Sequence, residues 1–118
     1  MDATRIIAIR HGETSWNATG RIQGHTDIPL NATGQAQAQQ AAQALADETL
    51  AAIYSSDLQR AWQTAQALAT TTQTALYPEP GLRERCFGVF EGRTFAEVAQ
   101  SHPEDSHRWR KRDPPLVF

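Results

Sequence analysis

The amino-acid sequence predicts an α/β layer fold, because short apolar runs typical of buried strands alternate with segments of helical periodicity. Three runs are candidate strands: Ile6–Ile9, Leu50–Tyr54 and Thr74–Tyr77. The chain has 118 residues, of which 40% are hydrophobic and 20% are charged. That length and composition are typical of one globular domain, which we expect to cover residues 1–118.

The first candidate strand, Ile6–Ile9, is an uninterrupted apolar run, as expected for a strand buried on both faces of a parallel sheet. It ends at Arg10 and His11, so polar side chains follow its carboxyl end. A long loop marked by glycines and a proline then lasts to Asn31, which predicts the N-cap of a helix ending near Asp47.

Capping boxes are predicted at the start of two further helices. Ser56 and Gln59 follow the second candidate strand with the spacing of such a box. The helix after them carries an apolar stripe made of Leu58, Ala61, Trp62, Ala65, Leu68 and Ala69. After the third strand, Thr94 and Glu97 predict a second box, which opens a short helix that Pro103 ends.

Residues suited to phosphoryl chemistry follow the ends of the candidate strands. Arg10 and His11 follow the first strand, Arg60 lies just past the second, and Glu84 follows the third. In open α/β sheets ligands bind outside the carboxyl ends of the strands, and the planar fork of arginine matches phosphate oxygens. We therefore expect these residues to share one crevice.

The expected charges suit a nucleophile and a general acid. Like charge from nearby arginines disfavours the imidazolium form, which leaves His11 neutral with a lone pair for attack. A phosphate dianion favours the protonated form of a nearby carboxyl group, so Glu84 is the candidate proton donor. Taken singly, these residues are also typical of surface ion pairs and solvated helix faces, and that alternative stays open at this point.

The composition argues against several classes of partner. The net charge of -2 gives no reason to expect nucleic acid or a membrane, and no apolar run is long enough to span a bilayer. The basic run at residues 108–112 is more typical of a solvated helix face than of a nucleic-acid site. Cys86 is the only cysteine, so no internal disulfide can form and we expect a cytoplasmic protein.

Four segments resemble, in the same order, the motifs of the histidine phosphatase superfamily, which includes the phosphoglycerate mutases. They are Arg10-His11-Gly12-Glu13-Thr14 with Trp16-Asn17, Gly20-Arg21-Ile22-Gln23-Gly24 with Asp27-Ile28-Pro29-Leu30, Ser55-Ser56-Asp57-Leu58-Gln59-Arg60-Ala61 with Thr64-Ala65, and Leu82-Arg83-Glu84 with Phe87-Gly88 and Glu91-Gly92. The resemblance covers residues 4 to about 98, so chance similarity is a poor explanation.

This resemblance implies a three-layer α/β/α, phosphoglycerate mutase-like fold and a phosphomonoester hydrolase that works through a phosphohistidine. His11 would be the nucleophile that carries the phosphoryl group. Arg10 and Arg60 would bind the phosphoryl oxygens and stabilise the charge of the transition state. Glu84 would donate a proton to the leaving alkoxide and later deprotonate the water that hydrolyses the phosphohistidine.

The resemblance also implies further binding residues and the class of substrate. Asn17 would hydrogen-bond a phosphoryl oxygen, and Gln23 would line the entrance of the pocket. The substrate would be a small phosphorylated metabolite. Family members need no metal or other cofactor, and no histidine here has metal-ligand spacing with carboxylates or with Cys86.

The sequence departs from the family at one position of the pocket. Family members carry a second histidine, in a His-Gly motif well downstream of the Glu84 segment, that helps to bind the phosphoryl group. No such motif occurs here, since His25 lies at a variable position and His102 and His107 come too early. We therefore expect a domain truncated at its carboxyl end. An unpaired sheet edge in such a domain would favour pairing with a second copy, so a homodimer is one expected assembly.

A phosphatase is favoured over a mutase. Residues 23–25 and 87–92 resemble the broad-specificity phosphatases, whereas mutases that use a bisphosphate carry a different, aromatic and basic stretch after the position of Leu82. A phosphoglycerate mutase stays the alternative within the family. The alternative of another class is a catalytically incomplete fragment, or a module that only binds a phosphorylated ligand.

Overall fold

The computed structural model describes residues 4–104, and the basic run at 108–112 and His107 lie outside them. The helices are α1 (Ser15–Ala18), α2 (Ala32–Ala44), α3 (Gln59–Thr72) and α4 (Phe95–Ser101), and the strands are β1 (Ile53–Ser55) and β2 (Leu76–Pro78). Two 3₁₀ turns, Pro80–Leu82 and Gly88–Phe90, lie between β2 and α4. The mixed helix and strand content confirms the predicted α/β class.

The two strands form a parallel pair, with Ile53 opposite Leu76 and Ser55 opposite Pro78. Because α3 connects them, β1, α3 and β2 make one βαβ unit. The rings of Tyr54 and Tyr77 stack across this pair with centroids 5.5 Å apart. The second and third predicted strands therefore exist, each shorter than expected and ending one residue later.

The first predicted strand does not form. Residues 6–9 have no regular structure, and Ile6, Ile7 and Ile9 are 85%, 38% and 41% exposed. A strand exists only when a neighbour completes its hydrogen-bond ladder, and within residues 4–104 the sheet contains β1 and β2 alone. An apolar run predicts that a segment can be buried, but the pairing partner decides whether it becomes a strand.

Two of the predicted helix caps are confirmed and one is wrong. The Asn31 side chain accepts a hydrogen bond from the Gly34 amide at 2.8 Å, and α4 opens with the predicted Thr94 capping box. Helix α3 has no capping box, because its N-cap residue makes no side-chain bond. Instead, the carboxylate of Asp27 accepts from the Gln59 amide at 2.7 Å, so this cap comes from a distant loop.

Helix α3 buries only part of the predicted apolar stripe, namely Leu68 and the N-cap residue Leu58, and it also buries two polar residues. The buried residues within the helix are Arg60, Thr64 and Leu68, whereas alanines and the tryptophan of the predicted stripe are only half-buried. The Thr64 hydroxyl accepts from the Gly12 amide in the loop around His11, and the Arg60 guanidinium donates to the carbonyl oxygens of Gly24 and Thr26. The buried face of α3 therefore serves the site as well as the core.

The N-terminal turn of α2 packs directly on the loop that carries His11. A Cβ atom at Gly34 would lie 2.8 Å from the amide nitrogen of Glu13, and one at Gly12 would lie 2.9 Å from the Cα of Gly34. Real Cβ atoms do not approach backbone atoms so closely, so two glycines allow helix and loop to touch. This contact fixes the loop against α2.

Replacing Gly34 by alanine is expected to destabilise the protein by about 1–3 kcal/mol, because the backbone of the His11 loop would have to move. Urea unfolding of the variant measures this difference. Gly81→Ala is the matched control, since its Cβ would meet only the flexible carboxylate end of Glu79. Equal stability of the two variants would show that the close approach at Gly34 is not tight.

Candidate active site

His11 lies half-buried in the loop before α1, with one ring nitrogen already engaged. Its Nδ1 atom lies 2.6 Å from the carbonyl oxygen of Gly12. Because a carbonyl oxygen only accepts, Nδ1 carries the proton of this hydrogen bond. In the neutral imidazole the lone pair is then on Nε2, so Nε2 is the ring nitrogen that could act as a nucleophile.

The surroundings of His11 lower its pKa from the ordinary value of 6.5. Burial is the largest cause, since it disfavours the charged ring. The positive charges of Arg60 and Arg10 act in the same direction, while the Gly12 hydrogen bond and the charge of Glu84 oppose it. The predicted neutral imidazole is therefore supported, with burial contributing more than the arginines on which the sequence argument depended.

The side chain of Arg60 is fixed beside this loop. Only 2% of Arg60 is exposed, and its guanidinium donates to the carbonyl oxygens of Gly24 and Thr26 at 2.6 and 2.9 Å. Burial lowers the pKa of Arg60, and the carboxylates of Glu84, Asp27 and Glu91 raise it. Arginine stays charged under these conditions, so the site keeps a fixed positive group.

Arg10 and Glu84 are exposed, and the charges of both act on His11. Arg10 and His11 also line a cavity of about 210 Å³ together with Gly12, Thr64 and residues of α2. The carboxylate of Glu84 accepts from the following amide at 2.9 Å. The charges of the other three predicted catalytic residues thus all act on His11.

An ion pair that sequence reasoning missed anchors the Glu84 segment. Arg83 donates from Nε to the carboxylate of Asp57 at 2.6 Å, and its Nη2 donates to the second oxygen. This fork joins the residue before Glu84 to the loop before α3. Both residues lie in motifs noted above, but a bidentate pair between them is visible only once the loops are placed.

Asn17 and Gln23 are both bound to Thr14. The Asn17 side-chain oxygen accepts from the Thr14 amide at 3.0 Å in the capping box of α1. Gln23 is buried, and its side-chain oxygen accepts from the Thr14 hydroxyl at 2.7 Å. The buried Thr14 hydroxyl thus holds the Gln23 side chain in place, and the role of Gln23 in lining the pocket entrance stays a prediction. The bonds to Thr14 use the amide oxygens of Asn17 and Gln23, so the NH₂ group of each side chain is the part that could donate to a phosphoryl oxygen.

Thr64 links the His11 loop to Arg60. Its hydroxyl oxygen accepts from the Gly12 amide at 3.0 Å and donates to the Arg60 carbonyl at 2.8 Å. A buried mid-helix threonine that donates to the carbonyl four residues earlier still has a lone pair for a second partner. Two signals in the sequence pointed to Thr64, its place in the third motif and its position one turn after Arg60.

Two absences concern the described part of the chain. Between residues 4 and 104, no three histidine, cysteine or acidic side chains lie close enough together to hold a metal ion. In the same range, no helix is long and apolar enough to cross a membrane.

Comparison with known proteins gives the family of sequences that this chain resembles. The sequence profile of the histidine phosphatase superfamily (branch 1) matches residues 6–117. Over 106 residues the chain is 42% identical to phosphoglycerate mutase-like protein 4 of Arabidopsis thaliana, and this match covers 88% of this chain and 46% of that protein. Over 105 residues it is 44% identical to the metal-independent phosphoserine phosphatase of the same plant, with 87% and 44% covered.

Solved structures agree with the sequence comparison. The phosphoserine phosphatase of Entamoeba histolytica, in complex with 3-phosphoglyceric acid, has a TM-score of 0.80 and 37% identity, and covers 92% of this chain and 52% of that one. The chain therefore spans about half the length of the relatives it matches. This similarity confirms the predicted phosphoglycerate mutase-like α/β fold.

Proposed function

This chain belongs to the histidine phosphatase superfamily (branch 1), and we propose that the whole protein hydrolyses small phosphomonoesters through a phosphohistidine on His11. One observation carries the proposal: the Nδ1 proton of His11 is bound to the Gly12 carbonyl, which leaves Nε2 with the lone pair. A lowered pKa keeps the ring neutral near pH 7, so a nucleophile is present without a separate base.

In the first step Nε2 of His11 attacks phosphorus, and the bond from phosphorus to the ester oxygen breaks. Arg60 and Arg10 bind the phosphoryl oxygens, where charge-assisted hydrogen bonds stabilise the transition state. Glu84 supplies the proton that the leaving alkoxide takes up. The products of this step are an alcohol and phosphohistidine.

In the second step a water molecule attacks the same phosphorus atom. The carboxylate of Glu84 takes a proton from that water, and the bond between phosphorus and Nε2 breaks. Inorganic phosphate leaves, and His11 returns to its neutral form with the proton on Nδ1. Asn17 and Gln23 are proposed to support the phosphoryl site, Asn17 through a hydrogen bond from its NH₂ group and Gln23 through its bond to Thr14.

The proposed substrates are small phosphorylated metabolites such as phosphoserine, because relatives of this chain are named phosphoserine phosphatases. A phosphoglycerate mutase is the second candidate, favoured by relatives with that name. It uses the same phosphohistidine but passes the phosphoryl group to another hydroxyl instead of water. Release of inorganic phosphate from phosphoserine, measured beside isomerisation of 3-phosphoglycerate, distinguishes the two activities.

We also propose a cytoplasmic location for the protein. The support is its one cysteine, Cys86, which is exposed and not part of a disulfide. Free exposed thiols persist in reducing compartments. Fractionation of cells and detection of the protein test this proposal.

Glu84→Gln is expected to slow hydrolysis of an alkyl phosphate on the order of 10²-fold, because glutamine cannot donate the proton that an alkoxide needs. Release of p-nitrophenol from p-nitrophenyl phosphate in the first turnover should change much less, since p-nitrophenolate leaves without protonation. Rapid-mixing kinetics on both substrates measure this difference. Glu79→Gln, in the same exposed segment, is the control. An equal loss with both leaving groups would remove Glu84 from the role of general acid.

A further inference from the structure

The carboxylate of Glu91 collects an unusual number of hydrogen bonds for a half-buried side chain. It accepts from the backbone amides of His25, Thr26 and Phe87 at 3.2, 2.9 and 3.0 Å. The hydroxyl of Thr26 donates to the same carboxylate. Hydrogen bonds to an ionised acceptor are among the strongest in proteins, so this side chain fixes the backbone turn at residues 24–26.

Arg60 binds the opposite side of the same turn. Its guanidinium donates to the carbonyl oxygens of Gly24 and Thr26, the residues on either side of His25. The turn is therefore held by an anion at its amide groups and by a cation at its carbonyl groups. Thr26 belongs to both sets, since its amide and hydroxyl contact Glu91 while its carbonyl contacts Arg60.

Packing at Gly24 leaves no room for a side chain against Glu91 and Phe87. Gly24 has a φ of +56°, and a Cβ atom there would lie 3.0 Å from the ring of Phe87 and collide with the Glu91 carboxylate. A side chain at this position would thus be strained and would separate Glu91 from the turn. The glycine allows the carboxylate to reach the amides behind it.

Electrostatics couple the two charged groups across the turn. The negative charge of Glu91 raises the pKa of Arg60 and so stabilises the buried cation. Burial alone would raise the pKa of Glu91, but the hydrogen bonds from Thr26, His25, Phe87 and Cys86 outweigh it and the pKa is lowered. Glu91 is therefore ionised at neutral pH and keeps accepting these bonds.

We propose that Glu91 is a positioning residue for phosphoryl binding, which holds the turn at residues 24–26 so that Arg60 keeps its place beside His11. The inference rests on the proposed function, since it assigns Arg60 to the phosphoryl group. Glu91 itself does not touch the substrate. Its effect passes through two carbonyl oxygens to the guanidinium, and loss of Glu91 allows Arg60 to move away from the phosphoryl site.

The test is a comparison of Glu91→Gln with the parent, both in the whole protein, with orthovanadate as the probe of the phosphoryl site. Glutamine keeps one acceptor but places an NH₂ group against backbone N–H groups. We expect the inhibition constant of orthovanadate to rise, and kcat/KM for p-nitrophenyl phosphate to fall, by about 10- to 100-fold, because a displaced guanidinium binds poorly. Glu97→Gln, which removes a carboxylate from a capping box in α4, is the matched control and should change neither value more than twofold.

A double-mutant cycle separates positioning from general destabilisation. In the Arg60→Ala background, Glu91→Gln should leave orthovanadate inhibition unchanged, because the group it positions is gone. Thr26→Val, which removes only the hydroxyl bond to Glu91, should weaken inhibition by about 3- to 10-fold. This second variant decides the question if Glu91→Gln does not fold.

The outcomes are distinct. Loss of thermal stability in Glu91→Gln with unchanged orthovanadate inhibition overturns the positioning role, as does an equal effect in the Arg60→Ala background. A parent protein that binds orthovanadate but does not turn over substrate contradicts the proposed phosphatase activity alone. In that case orthovanadate affinities measured by calorimetry replace the inhibition constants in the double-mutant cycle. A parent protein that binds no orthovanadate overturns both proposals.

Discussion

Replacing His11 by alanine is expected to abolish both phosphoenzyme formation and turnover, with kcat falling by at least about 10⁴-fold. The reason is that Nε2 of His11 is the atom that accepts the phosphoryl group in the proposed mechanism. The whole protein, mixed with a ³²P-labelled reactive phosphomonoester and quenched with base, should carry one phosphate on this ring. The variant should carry none.

The stability of the labelled bond in acid and in base identifies the residue type that carries the phosphate. A phosphoramidate on imidazole is hydrolysed in acid and survives base, whereas a phosphoserine ester behaves in the opposite way. His25→Ala is the control, because its exposed side chain should not affect labelling of His11. Acid-stable label on a serine or threonine would remove His11 from the mechanism.

The lowered pKa of His11 adds a pH dependence to this prediction. The nucleophile is the neutral ring, which is present above the pKa and lost as the pH falls through it. Because burial moves this pKa below its ordinary value of 6.5, the acid limb of kcat/KM that belongs to His11 should lie below pH 6.5. An acid limb above this pH would mean that the ring is stabilised as imidazolium.

Replacing Arg60 by alanine is expected to lower kcat/KM by about 30- to 1000-fold, since one charge-assisted contact to the transition state contributes about 2–4 kcal/mol. Steady-state kinetics on a generic phosphomonoester measure the loss. Arg60→Lys should fall between parent and alanine variant, because it keeps the charge but not the planar fork. A kcat/KM within a factor of two of the parent would exclude Arg60 from phosphoryl binding.

The same variant should also be less stable, which the sequence does not predict. Arg60 lies near the start of a helix with a polar face, a position where truncation to alanine is usually harmless. In the structure its guanidinium is buried and serves two carbonyl oxygens, which alanine would leave without these donors. We expect a loss of about 1–3 kcal/mol in the free energy of unfolding, measured in urea.

Local features of the fold were predictable because they depend on neighbours in sequence. Asn31 caps α2 through an amide three residues on, and Thr94 and Glu97 cap α4 in the same way. Alternation of apolar runs and helical segments predicted the βαβ unit around α3. The loop that carries Arg10 and His11 did not follow from local order, since the apolar run before it forms no strand.

The candidate site was predictable as a set of residue types, but its internal bonds were not. The motifs predicted that the charges of Arg10, Arg60 and Glu84 act near His11, and the structure has them in range. The roles of these residues in catalysis stay predictions. The carbonyl partners of Arg60 lie 34 and 36 positions away, a distance over which no sequence pattern specifies a hydrogen bond.

The sequence by itself determined the α/β class, two helix caps and the residue types of the proposed phosphoryl site. The tertiary structure alone decided that residues 6–9 are exposed, that Asp27 caps α3, and that Thr64 and Glu91 hold the loops on which His11 and Arg60 depend. The physical reason is the range of the interactions. Periodicity and local capping act within a few residues, whereas the strand pair joins residues 23 positions apart and the long-range hydrogen bonds join residues 32 to 65 positions apart, which only packing brings together.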